Sequence, residues 1–133
     1  MHWSSAYVGL PFEDGGRGPE AFDCWGVVVS VYRSELGIEL PTYGEISARD
    51  LMRVTRAMQA GQEAECWRPV NDPREFDVVV MRLTTRSFPG HVGVMVDAKN
   101  MLHIEAASHA VIVPLTHVLI RSRVIGIRRF QHK

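Results

Sequence analysis

Cys24 opens an apolar run, Cys24-Trp25-Gly26-Val27-Val28-Val29-Ser30-Val31-Tyr32, directly after Phe22-Asp23. A thiol in the first turn of a helix meets free backbone N–H groups and the positive end of the dipole, both of which favour thiolate over thiol. That is a position for a nucleophile, and a nucleophile needs a base. Side chains alternate along a strand. In the segment His91-Val92-Gly93-Val94-Met95-Val96 the valines share one side, and His91, Gly93 and Met95 share the other. In Asn100-Met101-Leu102-His103-Ile104-Glu105, Leu102 and Ile104 oppose Met101, His103 and Glu105. A turn at Asp97-Ala98-Lys99 pairs Val96 with Asn100, Gly93 with His103 and His91 with Glu105, which makes the two histidines diagonal neighbours. A slip of one residue would separate them. A histidine beside the cysteine takes its proton and holds a thiolate–imidazolium pair, and a polar group on the far ring nitrogen fixes the tautomer. His91 is then the base and His103 its orienter. A histidine alone on a strand is ordinarily a surface or structural residue, and His2, His109, His117 and His132 are read that way. Cysteine with two histidines also resembles part of a zinc site, but no Cys-x-x-Cys or His-x-x-x-His spacing supports one. Neither metal nor other cofactor is expected.

The elements that must position these groups follow from periodicity. Apolar residues at 25, 28, 29, 32 and 36 have helical spacing, and Ser30, Arg33, Ser34 and Glu35 leave only a narrow polar side, as in a buried helix. Asp23 is its N-cap and Gly37 its stop. Ahead of it, residues 3–9 form a short helix ended by Pro11. The glycine-rich loop 13–20 is either a flexible connector or a wall where backbone comes close to substrate. After a turn at Pro41-Thr42-Tyr43-Gly44, Ser47 caps a second helix, Ala48 to Ala60, with Leu51, Val54 and Met58 on one face and Gly61 as its stop. Residues 62–75 read as irregular and polar, with Trp67 an anchor and Cys66 a spectator. Strands then cover 77–83, 91–96, 100–105, 110–113 and 124–130, with a short helix at 115–119. Helices first and an antiparallel sheet after them make the class α+β.

At 133 residues the chain is expected to fold as a single domain, 1–133. The 15 basic and 15 acidic residues balance, which argues against a nucleic-acid binder. No apolar run reaches the roughly 20 residues needed to span a bilayer, so membrane insertion is not expected. Met1-His2-Trp3-Ser4-Ser5 lacks the basic start and apolar stretch of a secretory signal. The chain is therefore expected to be made in the cytosol, where both cysteines are free thiols.

Taken together, Gly9-Leu10-Pro11-Phe12-Glu13-Asp14-Gly15-Gly16, Phe22-Asp23-Cys24-Trp25-Gly26, Phe76-Asp77-Val78-Val79, His91-Val92-Gly93 and His103 resemble, in order and spacing, the NlpC-type papain-like cysteine peptidases that cut bacterial cell-wall peptides. The resemblance implies a papain-like fold with N-terminal helices packed on a C-terminal sheet. It implies Cys24 as nucleophile, His91 as base and His103 as third residue, acting on the γ-D-glutamyl link to a diamino acid in the peptidoglycan stem peptide. Asp23, Phe12 and Trp25 are its candidate substrate-binding residues. Asp23 caps the helix or binds the free amine of the stem peptide; Trp25 lines the groove or fills core. Phe12 stands where many relatives have tyrosine, so a hydroxyl is missing there. The Asp-Cys-Trp-Gly version and the Gly-Arg loop look most like the enzymes of phage tails and gene-transfer particles, which implies other tail-tip proteins as partners and action at the cell wall after delivery by the particle. The same features admit a structural tail-tip protein with weak or lost catalysis, or an amidase or acyltransferase using the same triad.

Overall fold

The computed structural model describes residues 2–40, 67–84 and 89–131. The turn at 41–44, the helix expected over 48–60, Cys66 and His132 lie outside the described residues. A 3-10 turn, Trp3–Ala6, precedes helix α1, Cys24–Val31. A wider π turn, Tyr32–Leu36, prolongs α1. The chain leaves it at Gly37, whose φ of 66° is the left-handed conformation that glycine adopts without a Cβ penalty. The predicted cap is present: the Asp23 side chain accepts from the Gly26 N–H. Apart from Ser30, which is half-buried, every residue of α1 is buried, as its nearly all-round apolar sequence requires.

The sheet comprises β1 (Trp67–Val70), β2 (Val78–Arg82), β3 (Pro89–Met95), β4 (Asn100–His103), β5 (Val111–Pro114) and β6 (Val124–Phe130). Its order is β1-β6-β2-β3-β4-β5, antiparallel throughout. A short helix, α2 (Val118–Arg121), lies between β5 and β6. Helices on an antiparallel sheet confirm the α+β class. Alternation splits the apolar residues into two sets. Val78, Val80, Val92, Val94, Val96, Leu102 and Ile104 pack with α1, while Val79, Met81, Met95, Met101 and Ile120 form a second cluster.

The helix expected over 3–9 is only the 3-10 turn 3–6, strands shift by one or two residues at most ends, and three further differences bear on the site or the sheet. Trp67–Val70 is a strand rather than an irregular stretch, pairing Trp67 with Phe130 and Val70 with Ile127. Only Trp67 is fully buried there, so no alternation is visible in the sequence. The Trp67 ring holds the strand, packing 5.2 Å from Phe130 and 5.7 Å from Tyr32 between centroids. Pro69 is compatible with β1 because β1 is an edge strand. β4 ends at His103, leaving Glu105 beyond the ladder. The short helix sits at 118–121 rather than 115–119, because His117 caps it by accepting from the Leu119 N–H.

The hairpin that matters for the histidines has the predicted register. Val94 pairs with Leu102 and Met95 with Met101. The Val96 N–H donates to the Asn100 carbonyl at 2.9 Å. Asp97 closes the turn, its Oδ1 accepting from the Lys99 N–H at 2.8 Å and the Asn100 N–H at 2.7 Å.

Candidate active site

The glycine-rich loop is tied down rather than slack. It is tied to the start of α1 by bonds from the Glu13 N–H to the Phe22 carbonyl at 3.0 Å and from the Asp23 N–H to the Gly16 carbonyl at 3.1 Å. A Cβ on Gly26 would lie 2.1 Å from the Gly16 carbonyl oxygen, so the first turn of α1 admits no side chain there. The preceding segment is fixed to the connection between β4 and β5, with the Phe12 N–H donating to the Ser108 carbonyl at 3.0 Å. Phe12 is half-buried against the core, so its missing hydroxyl leaves packing intact.

Asp23 does two jobs with one oxygen. Its Oδ1 accepts from the Gly26 N–H at 2.7 Å and from Arg17 at 2.8 Å. Capping is thus a role the structure shows for it, and the guanidinium pairs with the same carboxylate. Arg17 is a site residue that sequence reasoning passed over; its only signal was a cation in the loop facing the Asp-Cys pair. Trp25 is 2% exposed and belongs to the core cluster with α1's valines.

Cys24 is 5% exposed, and the backbone N–H groups of Val92, Trp25 and Cys24 itself act to favour its anion. Val92 follows His91 directly, so β3 brings the thiol and the imidazole to neighbouring peptides. The bond from thiol to His91 ring that base catalysis requires is not among these contacts; such bonds often tighten only when substrate is bound. Burial is the largest influence on the thiol and pushes it up to about 12, with the Asp23 charge adding to the rise and the three N–H groups opposing it. In the free protein, burial thus works against the expected thiolate–imidazolium pair. The helix start helps the anion, but removing it from water costs more.

His91 and His103 meet as the hairpin register requires, with Nε2 of His91 2.8 Å from Nδ1 of His103 and both residues 4% exposed. Burial holds His91 well below the usual imidazole value, and His103 and Arg123 push the same way. Burial also lowers His103; Glu105 works against that and Arg123 with it. Burial thus favours the neutral form of all three groups.

Glu105 and Arg123 complete the cluster and were not assigned a role from sequence. His91, His103 and Glu105 each bring one ligand atom within 4.8 Å of the others. A cation there would have to break the His91–His103 hydrogen bond and displace Arg123, whose Nη1 lies 2.5 Å from Glu105 Oε1. The donors are committed to one another, and the arrangement suits proton transfer better than metal binding.

Comparison with known proteins agrees with this architecture. The model of the NlpC/P60 family matches residues 9–129. The Gamma-DL-glutamyl hydrolase of Bacillus subtilis strain 168 is 30% identical over 127 residues, covering 95% of this chain and 27% of that protein. The chain thus spans about a quarter of the curated relative it matches. Among solved structures, an NlpC/P60 family protein from Bacillus cereus superposes with a TM-score of 0.67 at 22% identity, over 93% of this chain and 36% of that one. The NlpC/p60 domain of the peptidoglycan hydrolase SagA superposes with a TM-score of 0.63 at 15% identity, over 95% of this chain and 92% of that one. These last two likenesses concern the fold. With the family pattern running from Gly9 to Arg129 and the fold shared along almost the whole chain, the protein belongs to the NlpC/P60 family.

Proposed function

We propose that this chain is a cysteine peptidase of bacterial peptidoglycan, cutting the γ-D-glutamyl link to the diamino acid of the stem peptide. The observation that carries the reading is the buried 2.8 Å bond between His91 and His103, next along β3 to Val92, whose backbone acts on the Cys24 thiol. Cys24 is the nucleophile, His91 the base and His103 the group that orients it. Because the resting pair is neutral, proton and carbon–sulfur bond move together: His91 takes the thiol proton as sulfur attacks the amide carbonyl. The imidazolium passes that proton to the leaving amine. Water, deprotonated by His91, then cleaves the thioester. N–H groups at the start of α1 are the candidate donors to the oxyanion. The γ-glutamyl class is supported by the family resemblance and by the name of the Bacillus subtilis relative.

The setting we favour is a phage tail or gene-transfer particle, with tail-tip proteins as partners and the host wall as the place of action. Its support is the Asp23-Cys24-Trp25-Gly26 version of the motif and the Gly16-Arg17 loop. A second reading, a tail component with the chemistry silent, is favoured by one feature: the nucleophile is only 5% exposed and protonated at rest.

Digestion of purified peptidoglycan, with mass spectrometry of the released peptides, decides between them. The wild type is expected to release new γ-D-glutamyl termini. Cys24→Ala and His91→Ala should abolish release while melting cooperatively, and His103→Ala should slow it by about 10²-fold or more. Unimpaired release by Cys24→Ala or His91→Ala would sink the peptidase assignment. A wild type that releases nothing would leave the structural reading.

A further inference from the structure

The third residue of this site is itself a histidine, and that creates a requirement. To orient His91, His103 must accept the Nε2–H of His91 on its Nδ1, so its own single proton must reside on Nε2. A doubly protonated His103 has no acceptor and repels an imidazolium at His91. Histidine titrates close to neutrality unless its surroundings prevent it. A fixed cation stands by the pair. Arg123 lies between α2 and β6 with its side chain 11% exposed. Its Nε donates to the Arg82 carbonyl at 3.0 Å, and the Arg82 N–H returns a bond to the Arg123 carbonyl at 2.8 Å. Its Nη1 meets Glu105 at 2.5 Å. Glu105 is itself set beyond the end of β4 by a turn in which its carbonyl accepts from the Ser108 N–H at 3.2 Å. The guanidinium is therefore anchored from two directions.

We propose that Arg123, clamped by Glu105 and by the Arg82 carbonyl, is a positioning residue that keeps His103 neutral and able to accept, and that Glu105 moderates this cation from the solvent side. Among the described residues, the charged groups that act on the histidine pair are Glu105 from beyond the end of β4 and Arg123 from the approach to β6. Arg123 disfavours a proton on either ring, and Glu105 favours one on His103. The consequence for hydrolysis rests on the peptidase reading above; the electrostatic content does not.

The test is a titration of the His103 ring by nuclear magnetic resonance in the full chain, with Glu105→Gln, Arg123→Gln, Arg123→Lys and the double glutamine variant. Removing the cation leaves Glu105 alone beside His103, so Arg123→Gln should raise the midpoint by about 0.5–1 pH unit. Glu105→Gln leaves the cation unopposed and should lower it by a similar amount. The double variant should return toward wild type, and Arg123→Lys should stay close to it. Loss of an ordinary structural ion pair would move both single variants alike or neither, and that result would overturn the proposal. Should Arg123→Gln fail to fold, a midpoint in Glu105→Gln that stays or rises would overturn it equally. The acid limb of peptidoglycan hydrolysis should follow the same order. Opposed midpoints in a protein that hydrolyses nothing would uphold this inference and dismiss the peptidase.

Discussion

Cys24 shows why position in a motif and state in a site are separate questions. The Asp-Cys pair at a helix start argues for a thiolate, and the backbone N–H groups it relies on do act to favour the anion. Burial outweighs them and pushes the thiol up to about 12, while His91 is driven well below its ordinary value for the same reason. Two groups that both resist charge do not exchange a proton at rest. In a chain with Cys66→Ser, Cys24 is therefore expected to react with iodoacetamide at pH 6 at least about 100-fold more slowly than the same cysteine in urea, where its pKa returns to 9.0. The rate should climb steadily into the alkaline range, and His91→Ala should leave the profile unchanged. A plateau at pH 5–6 that collapses in His91→Ala would restore the ion pair. Phe12, Asp23 and Trp25 illustrate the same separation. All three stand near the nucleophile in sequence, yet Trp25 fills core and Asp23 is occupied by Gly26 and Arg17.

The start of α1 is the element whose packing can be tested most directly. Alanine is the better helix former by about 1 kcal/mol, so Gly26→Ala would stabilise an isolated helix. Here the added Cβ would meet the Gly16 carbonyl at 2.1 Å, and that carbonyl is held by the Asp23 N–H. Overpacking of this kind costs about 1–3 kcal/mol, and because the backbone on both sides is constrained the upper end applies, so after the helix gain the variant should unfold at lower urea by a net of about 2 kcal/mol. An equal or raised midpoint would mean the loop yields freely. At this scale the sequence was informative wherever a signal was local. The helical spacing of α1, its Asp23 cap and its Gly37 stop were readable, and the Asp97 turn sufficed to pair Val94 with Leu102 and so join the histidines. What it hid were contacts made over long separations. β1 exists because Trp67 reaches Tyr32 and Phe130, and Arg123 reaches Glu105 across β5 and α2. A four-residue strand containing proline, and an arginine among several in a basic C-terminal stretch, carry no periodicity that would reveal either.

Across the whole molecule, the buried neutral site couples folding to pH on both sides of neutrality. His91 and His103 have folded pKa values below 6.5, so between those values and 6.5 the unfolded chain binds protons that the folded chain refuses. Stability then rises with pH, and falls as pH drops below about 6.5. Each histidine contributes a slope of up to about 1.4 kcal/mol per pH unit, so the pair gives at most about 2.7. On the alkaline side Cys24 stays protonated to about 12 against 9.0 in the unfolded chain, and Tyr32, buried and facing Asp77, is also raised. There the unfolded chain loses protons first, and stability falls as pH rises past about 9. Stability should therefore be flat between about pH 6.5 and 9 and decline on either side. Urea unfolding at intervals from pH 5 to 10 measures this directly. The window from pH 5 to 6.5 isolates the histidines, because unperturbed carboxylates titrate below it. A variant with both His91 and His103 replaced by glutamine should be flatter in that window, whatever its overall stability, since a lost contact shifts a curve while a lost titration removes its slope. An unchanged slope in that variant would mean that the histidines are not the groups refusing the protons, and that the neutral resting site is wrong.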